Sequence, residues 1–144
     1  MAKKKVQAPK AITNSRARFD YELGNSLVVG LELTGAETKS LRLGHGQLRG
    51  AYVTVKNNEL YLIGCTINGT NGVEVTEPER TRKLLAKRRE IDALINAKKD
   101  GKTIVPLELL TRNRYIKLRI SVGKGKKRWD KRETIKKRDL ERHG

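Results

Sequence analysis

Two kinds of chemistry are open to the polar residues of this 144-residue chain. One is proton or metal chemistry at its few histidines, its cysteine and its clustered carboxylates. The other is phosphate contact through its 33 lysines and arginines. The first is poorly supplied. His45 and His143 lie far apart, and no His–Glu or His–Cys spacing provides a metal ligand set. Gly44-His45-Gly46 and Gly123-Lys124-Gly125 have the look of phosphate-loop fragments, but lack the length and the Lys-Ser/Thr ending of such a loop. Glu32 and Glu37 are close in sequence, yet Glu37 already has a helix-capping role. The single cysteine, Cys65, permits neither an internal disulfide nor a zinc site, and its neighbours Leu60 to Gly64 read as those of a packed strand thiol. No catalytic residue, metal or cofactor is expected.

Phosphate contact is supplied generously. Arg16, Arg18, Arg42, Arg49, Arg80, Arg82, Lys87, Lys117 and Arg119 give the body of the chain its own basic surface, and such groups bind nucleic acid without regard to sequence. From Gly123 onward there are ten basic and four acidic residues, a net +6, with Trp129, Ile135 and Leu140 as the only sizeable apolar side chains. On a helical wheel those basic residues go nearly all the way round, so the segment has no face to lay on a core. A channel with negative walls on several sides would suit it, and structured RNA provides one. A solvated tail is the plainer reading of such a charge run. Trp129, amid Lys126, Lys127, Arg128, Lys131 and Arg132, has no local core to join and is placed to stack on a base or dock on a partner. Six aromatics are too few for the row of rings on which single strands stack, which favours folded RNA read by shape and backbone.

Composition agrees. A net charge of +17 and a pI near 10.3 leave a self-repelling chain unless an anionic partner neutralises it. No apolar run approaches the length of a membrane span, and the lysines after Met1 have no apolar segment behind them, unlike a secretory signal. A soluble cytoplasmic monomer is expected.

The elements that must position these groups follow from local signals. Residues 1–15 read as a flexible basic arm. Ser26 to Leu33 reads as a strand, with Gly30 marking a bulge or sharp bend. Thr34 and Glu37 form a capping box that opens a short helix from Gly35 to Leu43, stopped at Gly44. Strands at Leu48–Lys56 and Glu59–Asn68 are joined by Asn57-Asn58, a pair suited to a hairpin turn. A helix is expected from Pro78 to about Lys98, with Leu84, Ile91, Leu94 and Ile95 as its apolar stripe. Strands Thr103–Leu110 and Arg114–Val122 close the domain, the second turning Lys117 outward between Ile116 and Leu118. The expected fold is mainly β: a small antiparallel OB-like barrel with two helices over 16–122, followed by a basic tail, 123–144, hinged at Gly123 and Gly125.

Glu37-Thr38-Lys39-Ser40-Leu41-Arg42, Arg82-Lys83-Leu84-Leu85, Val105-Pro106-Leu107 and Gly125-Lys126-Lys127 with Asp130-Lys131-Arg132 resemble, in this order, the motifs of the SmpB family. The resemblance spans about residues 13 to 142. It implies an OB-like barrel that binds the tRNA-like part of transfer-messenger RNA, and a tail that occupies the ribosomal decoding centre and the empty message channel during rescue of stalled bacterial ribosomes. By this resemblance Asn14, Leu85 and Lys117 match residues of the RNA-binding face; with them the basic residues Arg16, Lys39, Arg42, Arg82, Lys83 and Lys87 are the expected RNA-binding residues. Lys124, Gly125, Lys126, Lys127, Trp129, Asp130, Lys131, Arg132, Lys136, Lys137 and Arg138 form the ribosome-binding tail, with Gly125 at the hinge. Val28 stands where many members carry an acid, and Lys87 where His or Asn is common. A structural ribosomal protein with a basic extension is the alternative.

Overall fold

The computed structural model describes residues 11–70 and 72–125. Thr34 opens its most clearly capped helix. The Thr34 hydroxyl accepts from the Glu37 N–H at 3.2 Å, and the Glu37 carboxylate accepts from the Thr34 N–H at 2.9 Å. This reciprocal cap starts the helix at Gly35–Arg42, and Gly44, at φ 88°, ends it. Asn57 and Asn58, at φ 52° and 59°, make the expected tight turn between strands Tyr52–Lys56 and Glu59–Ile63.

In chain order the elements are β1 (Ile12–Thr13), α1 (Ala17–Asp20), β2 (Tyr21–Leu31), α2 (Gly35–Arg42), β3 (Gly46–Gln47), β4 (Tyr52–Lys56), β5 (Glu59–Ile63), β6 (Thr66–Ile67), β7 (Arg82–Leu85), α3 (Arg88–Lys99), β8 (Thr103–Leu110) and β9 (Lys117–Gly125). Seven strands form one antiparallel sheet in the order β1-β8-β9-β2-β7-β5-β4, and β3 pairs with β6 beside it. The sheet curls until β4 returns against β8, which gives the OB-like barrel. Leu41, Leu60, Leu62, Ile67, Leu84, Ile104, Leu118 and Ile120 fill the interior, all without exposed surface. Cys65 is packed there too, just past β5 rather than on a strand, and burial pushes its thiol up to about 11.

The stretch from Pro78 to Lys87 is not the start of a long helix. Residues 82–85 form β7, which pairs with β2 on one side and β5 on the other. Period-two alternation decides the matter: Arg82 and Leu84 are fully buried, Lys83 is half-buried and Leu85 is exposed. Helix α3 begins only at Arg88, where the Glu90 carboxylate accepts from the Lys87 N–H at 3.1 Å. Its buried residues are Ile91 and Leu94.

Three further differences lie in the strands. Ile12 and Thr13, assigned above to the arm, pair with Leu109 and Glu108, and Ile12 is buried. The bulge falls not at Gly30 but between Leu23 and Ser26, and a second lies at Leu107 of β8. Gly123 is no joint. It lies inside β9, and an added Cβ would sit 3.0 Å from Tyr21 Cβ and 3.2 Å from Leu23 Cδ2, so glycine is required by close approach.

Candidate RNA-binding face

The outer face of the sheet is built by register. Gly30 on β2 stands opposite Leu85 on β7 and Lys117 on β9, so Leu85, Gly30 and Lys117 form one row across three strands. A Cβ on Gly30 would approach Leu85 Cβ to 3.1 Å, so the glycine lets Leu85 lie close over the strand. The next row is Val28, Arg119, Glu108 and Thr13. Leu85 and Val28 are 49% and 39% exposed, an apolar pair within a basic surround of Lys117, Arg119, Lys83 and, just past β7, Lys87. Inward-facing Ile116, Leu118 and Ile120 fix β9, so Lys117 projects outward as the alternation predicts.

The face thus brings together Lys83, Leu85, Lys87 and Lys117. Other residues expected at the site lie differently. Arg82 is turned into the core. It reaches Glu37 through Nε at 2.7 Å and Nη2 at 2.6 Å, and donates to the carbonyls of Cys65, Arg80 and Pro78 at 2.8–3.0 Å. Every arm of its guanidinium is engaged, so it is a core group and not an RNA contact. Arg80 donates to the other Glu37 oxygen at 2.6 Å. Burial alone would raise the Glu37 carboxyl. Hydrogen bonds from Arg80, the Thr34 N–H and Arg82 outweigh it and hold the group below its ordinary value. Arg42 clamps the segment between β8 and β9, donating to the Thr111 and Arg114 carbonyls at 2.9 and 2.8 Å.

Asn14 follows β1. Its N–H donates to the Leu107 carbonyl and its Nδ2 to the Pro106 carbonyl at 3.0 Å, so its amide secures the β8 bulge. Arg16 is exposed beside α1, over the Phe19 ring at 4.4 Å and 3.8 Å from Asp20. Lys39 is exposed on α2, and Lys124 and Gly125 are exposed at the end of β9. Lys126, Lys127, Trp129, Asp130, Lys131, Arg132, Lys136, Lys137 and Arg138 lie outside the described residues. Tyr52, at the start of β4, is 49% exposed. Among the described residues no cluster of three metal-ligating side chains occurs, and no helix is long and apolar enough to cross a membrane.

The SmpB protein family model matches residues 11–144. This chain belongs to the SmpB family. An SsrA-binding protein of Alteromonas mediterranea is 43% identical over 133 residues, covering 90% of this chain and 84% of that protein. An SsrA-binding protein of Oenococcus oeni is 43% identical over 146 residues, covering 99% and 94%. A chain of the solved structure described as "tmRNA-SmpB: a journey to the center of the bacterial ribosome" superposes with a TM-score of 0.67 at 33% identity, over 87% of this chain and 94% of that one. Sequence reading missed the row that Gly30 forms with Leu85 and Lys117, and the buried Glu37–Arg82 pair. Reading Arg82-Lys83-Leu84-Leu85 with period two instead of as a helix would have shown Arg82 pointing inward.

Proposed function

We propose that this protein binds the tRNA-like part of transfer-messenger RNA and delivers it to stalled ribosomes for trans-translation. The observation that carries the reading is the family match over residues 11–144. The basic, partly apolar outer face gives it a physical basis: Lys117, Lys83 and Lys87 offer charge to phosphates, and Leu85 offers a surface to a base or ribose. Arg16 and Lys39, exposed elsewhere, add to the field that draws the RNA in. The protein acts by binding, not by catalysis, and its working place is the cytoplasm. A ribosomal structural protein would ignore an isolated tRNA-like domain, so that RNA is the discriminating probe.

Because β9 runs to Gly125, the barrel is tested with a chain ending after that residue. It is expected to retain most of the affinity for a tRNA-like RNA, falling as salt rises. Loss of nearly all binding in an electrophoretic shift assay would place the RNA site in the tail.

The tail acts in a later step, in the decoding centre and message channel, with Trp129 stacking on a base there. Such stacking contributes about 1–3 kcal/mol. Trp129→Ala is expected to leave RNA affinity nearly intact while lowering peptide transfer to the RNA on stalled ribosomes. Measuring both on one mutant decides it: collapsed affinity, or unchanged transfer, would remove this role.

A further inference from the structure

Two bulges open against the same stretch of β9. On β2, three steps from Leu23 to Ser26 match two on β9, from Gly123 to Ser121. On β8, Leu107 is extra between Pro106, opposite Ile120, and Glu108, opposite Arg119. Both are held by side chains rather than left loose. Ser121, itself buried, donates through Oγ to the Gly24 carbonyl at 3.0 Å or the Asn25 carbonyl at 3.2 Å. Asn14 holds the Pro106 carbonyl at 3.0 Å and, through its N–H, the Leu107 carbonyl. Bulges secured in this way re-aim side chains and are over-represented beside binding sites.

Between them lies an open cleft of about 470 Å³ lined by Arg18, Tyr21, Glu22, Ser26, Leu107 and Arg119. Arg119 belongs to the row that holds Val28, so the cleft continues the outer face. Across from Arg119 on β2 is apolar Val28, and on β8 is Glu108, whose carboxylate is 4.0 Å from the guanidinium, with the two side chains 42% and 34% exposed. An exposed pair at that distance is weak, so the fork of Arg119 is available to a stronger acceptor. Guanidinium groups bind phosphate with two parallel hydrogen bonds.

We infer that this cleft receives the ribose-phosphate backbone of the transfer-messenger RNA, with Arg119 as the phosphate-binding group. The site rests on the function proposed above and extends the face beyond Lys117. Glu108 then acts as a brake on Arg119, since it competes with the phosphate.

The test uses the full chain, a transcript of the tRNA-like domain and a series of salt concentrations, with folding checked by thermal melts. Arg119→Gln is expected to lower affinity about tenfold at low salt and to reduce the slope of log K against log salt by roughly 0.7–0.9, the share of one phosphate. Glu108→Gln is expected to raise affinity a few-fold. Unchanged affinity in Arg119→Gln, or a loss without a change of slope, overturns the inference if Lys117→Ala still weakens binding. If the unaltered chain does not bind the transcript, the proposed function itself fails.

Discussion

Glu37→Ala is expected to destabilise the fold by about 3–5 kcal/mol, the cost of leaving one member of a buried ion pair uncompensated. The orphaned group is Arg82, fully buried, whose Nε and Nη2 both meet the Glu37 carboxylate. The same change removes the acceptor of Arg80 and half of the cap on α2. Arg82→Ala should cost a similar amount, by taking a charge partner from the buried carboxylate and the Arg82 donor from the Cys65 and Arg80 carbonyls, while the Pro78 carbonyl keeps the Ile67 N–H. Arg82→Met with Glu37→Leu is expected to recover much of the loss, since apolar replacement of both partners is often near neutral. Urea melts of the two single variants and the double variant test this, and a single variant within about 0.5 kcal/mol of the parent, the range of a plain surface change, would refute it. Glu37 also sets a pH dependence. Its folded-state value is lowered, so its stabilising contribution is complete above the ordinary carboxylate value of 4.5 and is lost as pH falls through the lower, folded one. The melting temperature of the parent should therefore decline below about pH 4.5 more steeply than that of the Glu37→Leu, Arg82→Met chain.

The second large effect concerns binding. Lys117→Ala is expected to weaken RNA affinity by roughly 1–3 kcal/mol, the range of a charge-assisted contact, which is about five- to 150-fold. The lysine is exposed between buried Ile116 and Leu118, so its removal should leave the barrel intact. Leu85→Ala, in the same row across Gly30, should weaken binding without altering its salt dependence, because it removes contact area and no charge. Filter binding at two ionic strengths separates the two, and unchanged affinity of the Lys117 variant at low salt would exclude it from the interface.

What could be read from the sequence was what local chemistry decides. Thr34 with Glu37, Asn57 with Asn58, and the run from Thr103 to Leu110 gave a cap, a turn and a strand at the positions found, because each signal is complete within a few residues. The stretch from Pro78 to Lys87 failed for the opposite reason. Pro78 and the glutamates beside it imitate a helix start, and Arg82 looks like a surface group until its partner is known. That partner, Glu37, is 45 residues away, and its own local role as a capping residue hid the second one. The binding face was half visible. Alternation placed Lys117 outward, but its meeting with Leu85 and Gly30 depends on β9, β2 and β7 being neighbours, which no local pattern states.

The unbroken course of β9 has a mechanical consequence. Lys117 stands at its first residue and Gly125 at its last, which at about 3.3 Å per residue sets them roughly 26 Å apart. Pairing with β2 on one side and β8 on the other makes that span a stiff rod rather than a tether. If RNA is gripped at the Lys117 end, as proposed, the rod fixes the point at which the chain leaves the barrel at Gly125. A partner met beyond that point is thereby held at a set distance from the RNA, and the two binding sites act at an effective concentration fixed by the rod with no added contact.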